Sequence, residues 1–162
     1  MYLHSVNKRR RALCWIGLAV ASLVAPVVLG PPAGAATGGV TGAGSGIFVP
    51  PPFTGDRVAI VLEAPGRFDV THYDRQGGEI LHVKGKVACS EVHGATAFVT
   101  GEIESGFALF GDPKGQTLAI TIHDQGSTDL VGLAPPSRVL PPCAPIPLNT
   151  VIDQGDFRVA RS

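Results

Sequence analysis

The chain lacks any window in which apolar residues return every third or fourth position, the spacing that lays them along one face of a helix. That points away from helical bundles, and short apolar runs separated by turns leave an all-β chain as the expectation. Charge is sparse, 16% of residues, and its one dense basic run is Lys8-Arg9-Arg10-Arg11. Without a basic stripe elsewhere, neither nucleic acid nor an anionic membrane surface is an expected partner. Aromatics make up 6% of the chain, and only Tyr73 and Phe98 stand outside expected core positions, a poor platform for a stacked sugar.

Catalytic motifs are missing too. Ser90, Ser105 and Ser127 sit in no G-x-S-x-G elbow, so a serine hydrolase would lack an activated nucleophile. Gly42-Ala43-Gly44-Ser45-Gly46 is not a nucleotide loop, because no strand precedes it and no helix follows. His72, His82, His93 and His123 are scattered over three strands and a turn, with no metal-ligand spacing among them. Glu102 and Glu104 share one strand face and read as part of a surface charge ladder rather than an acid/base pair. No catalytic residue and no cofactor is expected. An enzyme, a hydrolase for instance, would require a fold that brings His72, His82 or His123 to a carboxylate in a pocket.

What is present begins with an export signal over residues 1–36: the basic run, then a mostly apolar stretch over 12–29, then Pro31-Pro32-Ala33-Gly34-Ala35-Ala36. Cleavage is expected after Ala35 or Ala36, an uncleaved anchor being the alternative. Cleavage removes four basic residues and no acidic ones, leaving nine against thirteen, a net charge of −4. It also removes Cys14, so Cys89 and Cys143 remain in an oxidising compartment and are expected to pair. The mature chain is thus expected to be secreted, extracellular or at the cell envelope, not inserted in a membrane, with an envelope or extracellular protein as its partner.

Residues 37–55 hold Gly38-Gly39, Gly42, Gly44, Gly46 and Pro50-Pro51-Pro52, a composition expected of a flexible lead-in. The folded domain is expected over 56–162. Strands are read at 58–62 and 67–73, then in a hairpin of 80–89 and 96–104, then at 118–123 and 156–160, with Leu130 to Leu133 following the acidic corner. In the hairpin, Leu81, Val83, Val87 and Cys89 face inward, as do Ala97, Val99 and Ile103. With the turn centred on His93, Val87 would face Val99 and Gly85 would face Gly101. Lys84 would then face Glu102, and His82 would face Glu104. The facing glycines would leave a notch, filled by a neighbouring segment or open to a ligand. Six prolines over 134–147 surround Cys143 and cannot serve a central strand, so this stretch reads as a surface strap. The fold class is an antiparallel β-sandwich, with a small β-barrel as the alternative.

Asp124-Gln125-Gly126-Ser127-Thr128-Asp129 is an acidic corner in which Asp124 and Asp129 could offer oxygens to Ca²⁺. The same residues suit a turn whose side chains cap backbone amides. Three pieces, Gly85-Lys86-Val87-Ala88-Cys89, Gly94 with Ala97-Phe98-Val99-Thr100-Gly101, and Asp124-Gln125-Gly126 with Asp129, together resemble a pattern of small exported proteins and modules of actinobacteria and related bacteria. The resemblance spans about the middle third of the chain and implies a β-sandwich-like fold, with no activity and no catalytic residue to carry over. The chain departs from it in the proline strap and at Leu130, where an aromatic often stands. The functional expectation is a non-catalytic exported structural or interaction module, with a small-ligand or Ca²⁺-binding barrel as the alternative.

Overall fold

A computed structural model describes residues 38–160; the expected signal over 1–36 and Cys14 lie outside them. The strands are β1 Gly39–Phe48, β2 Arg57–Ala64, β3 Arg67–Tyr73, β4 Glu79–His93, β5 Thr96–Ala108, β6 Thr117–His123, β7 Leu130–Leu133 and β8 Thr150–Ala160. Each pairs antiparallel with the next and β8 returns to β1, which closes a barrel. The two-sheet sandwich is therefore corrected to the alternative, the small barrel. Pairing of β1 on both its sides leaves no open edge from which a second layer could start.

The segment expected as a flexible lead-in is also corrected, since most of it is β1. Its glycines recur with period two, so Gly42, Gly44 and Gly46 share the inner face while Thr41 and Ala43 are exposed. They are glycines because the interior is occupied. A Cβ on Gly44 would lie 2.9 Å from Ile152 Cγ2 and 3.0 Å from the Phe157 ring, and one on Gly42 would lie 2.9 Å from Phe157 Cδ1. Phe157, fully buried, takes that volume.

Phe68 uses the same device across the barrel. The notch at Gly85 and Gly101 is filled by its ring: a Cβ on Gly85 would stand 2.6 Å from Phe68 Cζ, and one on Gly101 would stand 2.9 Å from Cδ1. An eight-stranded barrel has an interior just wide enough for side chains. Here Val40, Ile60, Leu62, Val70, Val83 and Ile120 pack with the two rings into one buried cluster.

The central hairpin is longer than expected and differently registered. Its turn is the two-residue Gly94-Ala95, with Gly94 at φ 66°, and His93 pairs with Thr96. Val87 consequently meets Gly101, and Gly85 meets Ile103. The displacement here is an even number of residues, so the inner face is preserved. The register also shifts between Val87 and Cys89, where Ala88 is left unpaired, and such an extra residue turns the following side chain to the other face. Cys89 lies outward, opposite Thr100, rather than inward opposite Ala97.

That flip lets the disulfide form on the outer wall. Cys89 and Cys143 are bonded, with Cα atoms 5.4 Å apart. The proline-rich segment over 134–147 lies against the outside of β5 and β6. There Thr100 Oγ1 accepts the Cys143 N–H at 3.1 Å and Thr121 Oγ1 accepts the Ile146 N–H at 2.8 Å. Ala119, Thr100 and Thr121 are buried although they face outward. β6 is thus covered on both faces.

Gly44→Val should destabilise the barrel by about 1–3 kcal/mol through overpacking against Phe157, whereas Ala43→Val, one residue away and facing solvent, should change stability by less than about 0.5 kcal/mol. Urea unfolding of both variants checks this; equal effects would be inconsistent with β1 as an inward-facing glycine strand.

Candidate ligand-binding site

One end of the barrel is filled and the other is not. At the open end, where β1, β3, β5 and β7 finish, a cavity of about 380 Å³ opens between the strands and the loops over 49–56, 109–116 and 134–136. Its wall is largely apolar, with Phe53, Leu81, Phe110, Leu118, Leu133 and Pro135 contributing. Mouths of β-barrels are among the places where small-molecule sites recur, and volumes from roughly 300 Å³ upward accommodate them.

The loop after β1 builds the polar end of this cavity. The Pro50-Pro51-Pro52 run carries the chain outward, and Phe48 N–H then donates to Asp56 O at 3.0 Å while Gly55 N–H donates to Phe48 O at 2.9 Å. The loop thereby delivers the Asp56 carboxylate to the start of β2 and folds the Phe53 ring inward. His72, on the inner face of β3, meets both. Its Nε2 stands 3.1 Å from Asp56 Oδ2, and its ring centroid lies 4.8 Å from that of Phe48 and 5.2 Å from that of Phe53. Both polar residues are 8% exposed. Arg75 Nε, 3.8 Å from Asp56 Oδ1, is the nearest cation.

Burial pushes the His72 pKa below its ordinary 6.5, and the hydrogen bond and charge of Asp56 oppose that shift without cancelling it. The ring is therefore neutral at neutral pH. A carboxylate can only accept, so Nε2 carries the proton and Nδ1 holds a lone pair. Of the other polar side chains of the wall, Asn149 bonds both backbone groups of Leu133, and Gln116 Nε2 donates to Asp112 O at 2.8 Å.

The other histidines among the described residues do not converge. His82 Nε2 is 2.9 Å from Asp69 Oδ1 on the half-exposed outer wall, His93 faces Glu91 at 3.5 Å, and His123 Nδ1 is 2.8 Å from Thr96 Oγ1. The expected charge pairs are redistributed by the new register: Lys84 binds Asp69 at 2.9 Å and Lys86 binds Glu104 at 2.6 Å, in place of Lys84 with Glu102 and His82 with Glu104.

The acidic corner lies at the filled end. Asp129, 3% exposed, accepts Gln125 N–H at Oδ1 (3.2 Å) and Phe157 N–H at Oδ2 (2.7 Å). Asp124 accepts Gly126 N–H at Oδ1 (3.0 Å) and Val159 N–H at Oδ2 (3.1 Å). β7 pairs with β8 at only two positions, and beyond them these carboxylates serve the β8 amides in place of a strand. Asp124 and Asp129 thus act as backbone caps that complete the barrel seam. At the disulfide, the two sulfurs and a Glu91 oxygen lie within 4.8 Å of one another, but sulfurs bonded to each other leave no thiolate for a metal.

The mouth was hidden from sequence reasoning because Phe48, Phe53 and Asp56 belonged to the supposed lead-in and its boundary. The available signal was His72 itself, a titratable residue at an inward position of β3. The depressed pKa has a measurable consequence. Between that value and 6.5 the unfolded chain binds more protons at this residue than the folded one, so its contribution makes stability rise with pH and fall on acidification through 6.5. Thermal midpoints from pH 5 to 8 should show this slope in the wild type and a shallower one in His72→Gln; parallel profiles would contradict it. Set against protein-family models, curated proteins and solved structures, the chain matches none.

Proposed function

We propose that this chain is an exported, disulfide-tied β-barrel that binds a small apolar ligand in its open mouth. The observation that carries the reading is the roughly 380 Å³ apolar cavity at one end of a barrel whose described residues otherwise pack into one buried cluster. Of the functions expected from the sequence, this develops the small-ligand barrel rather than the purely structural module. Ca²⁺ at the acidic corner gains nothing from the geometry, since all four oxygens of Asp124 and Asp129 already accept backbone amides.

The Cys89–Cys143 bond fits an oxidising compartment outside the cytoplasm. The outer wall carries Arg57, Lys84, Lys86 and Glu104 in ion pairs, whereas a membrane-spanning barrel presents an apolar band outward. That supports a barrel in water rather than in lipid. One observation favours the interaction module as a second reading: Leu109 and Phe110 in the loop after β5 are 63% and 87% exposed, apolar surface beside the mouth that suits a protein partner.

Titration with the neutral fluorophore N-phenyl-1-naphthylamine tests the ligand reading. Saturable binding with one site per chain is expected, and Ala108→Trp, which places an indole in the mouth, should reduce affinity at least tenfold while the barrel stays folded. Absence of saturable binding, or equal binding by the variant, would contradict it.

A further inference from the structure

The mouth has a polarity that its apolar wall does not by itself explain. His72 lines the cavity and Asp56 is bonded to it, both nearly buried, and burying an ionisable pair is costly unless every polar atom finds a partner. Asp56 is served by His72 Nε2, with Arg75 Nε 3.8 Å from its other oxygen. His72 is served on one side only: among the described residues no side-chain hydrogen bond reaches Nδ1, and no buried side-chain nitrogen or oxygen there is left without a partner, so Nδ1 is accessible rather than sealed in. The residue lines the cavity, and Phe48 and Phe53 pack against its ring.

From this geometry we infer that the ligand is an apolar alcohol or phenol, held by its hydroxyl donating to Nδ1 of His72. Asp56 is the positioning residue. By accepting the Nε2 proton it fixes the tautomer in which Nδ1 is an acceptor, and it orients the imidazole as carboxylate partners orient histidines elsewhere. Once an occupant displaces solvent from the cavity, the acceptor discriminates between donors and non-donors, because an occupant without an O–H or N–H leaves the lone pair without a partner. The wall around it offers no lysine or arginine for a carboxylate or phosphate.

This inference rests on the ligand-binding reading of the mouth, and one matched pair of probes separates the two. 2-Naphthol and its methyl ether, 2-methoxynaphthalene, share the same apolar body, and the naphthol is protonated at neutral pH. Fluorescence or calorimetric titration of the wild-type protein should give about tenfold tighter binding for the naphthol, the size of one hydrogen bond in a desolvated site. His72→Phe should bring the two affinities together by weakening the naphthol and sparing the ether. Asp56→Asn, which can donate to Nε2 and so move the ring proton to Nδ1, should also abolish the preference, with a thermal scan showing that the variant is folded. Equal binding of the two probes by the wild type would overturn the inference while leaving an apolar site in place. Failure of both to bind would overturn the site and the inference together. Loss of both probes in a folded His72→Phe would assign the residue to cavity shape and overturn its role as acceptor.

Discussion

Two aromatic rings set against glycines determine how this barrel is packed. Phe157 of β8 lies over Gly42 and Gly44 of β1, and Phe68 of β3 lies over Gly85 and Gly101 of the central hairpin. Each ring needs the missing side chains opposite it, because a closed eight-stranded interior has no spare volume. The first contact also decides topology. With its inner face emptied to glycine, β1 can sit between β2 and β8 and abolish both sheet edges at once. Where pairing falls short, at the brief β7–β8 ladder, Asp124 and Asp129 supply carboxylate oxygens to the Phe157 and Val159 amides. The seam is held by side chains because two strand pairs would leave those amides without acceptors.

The same packing divides the molecule into a filled end and an open one. Both rings and most aliphatics lie deep in the barrel, whereas the mouth is walled by apolar side chains too far apart to fill it. The His72–Asp56 pair is tolerated there because the Nε2–Oδ2 hydrogen bond serves one polar atom of each partner. What is left over is the second ring nitrogen of a histidine that lines the cavity. The disulfide and strap act on the opposite side of the wall, covering β5 and β6 so that strand β6 is buried on both faces.

Much of this was legible in the residues, for identifiable reasons. β3 was read at its full extent because Arg67–Tyr73 alternates cleanly. The cysteine pair followed from arithmetic once Cys14 was set aside. β1 was missed because glycine carries no hydrophobic signal: its period-two recurrence at 42, 44 and 46 was the strand pattern, written in small residues instead of large ones. The hairpin register was displaced because the turn falls at Gly94-Ala95 and not on His93, and the Ala88 bulge that then restores the inner face has no sequence mark distinguishing it from a ladder residue. The mouth escaped for a third reason. Phe48 and Asp56 flank a proline run that composition assigns to a linker, and only closure of the ring brings them to His72, which is sixteen residues beyond Asp56.

Amide hydrogen exchange tests most directly whether β1 closes the barrel. If it does, the amides of β1 that donate to β2 and β8 should be protected to the same degree as those of β3 and β5, and should be lost with them in one global opening. Exchange of residues 39–48 at the rate of an unstructured peptide, with the other strands still protected, would contradict the closed barrel and the cavity built on it.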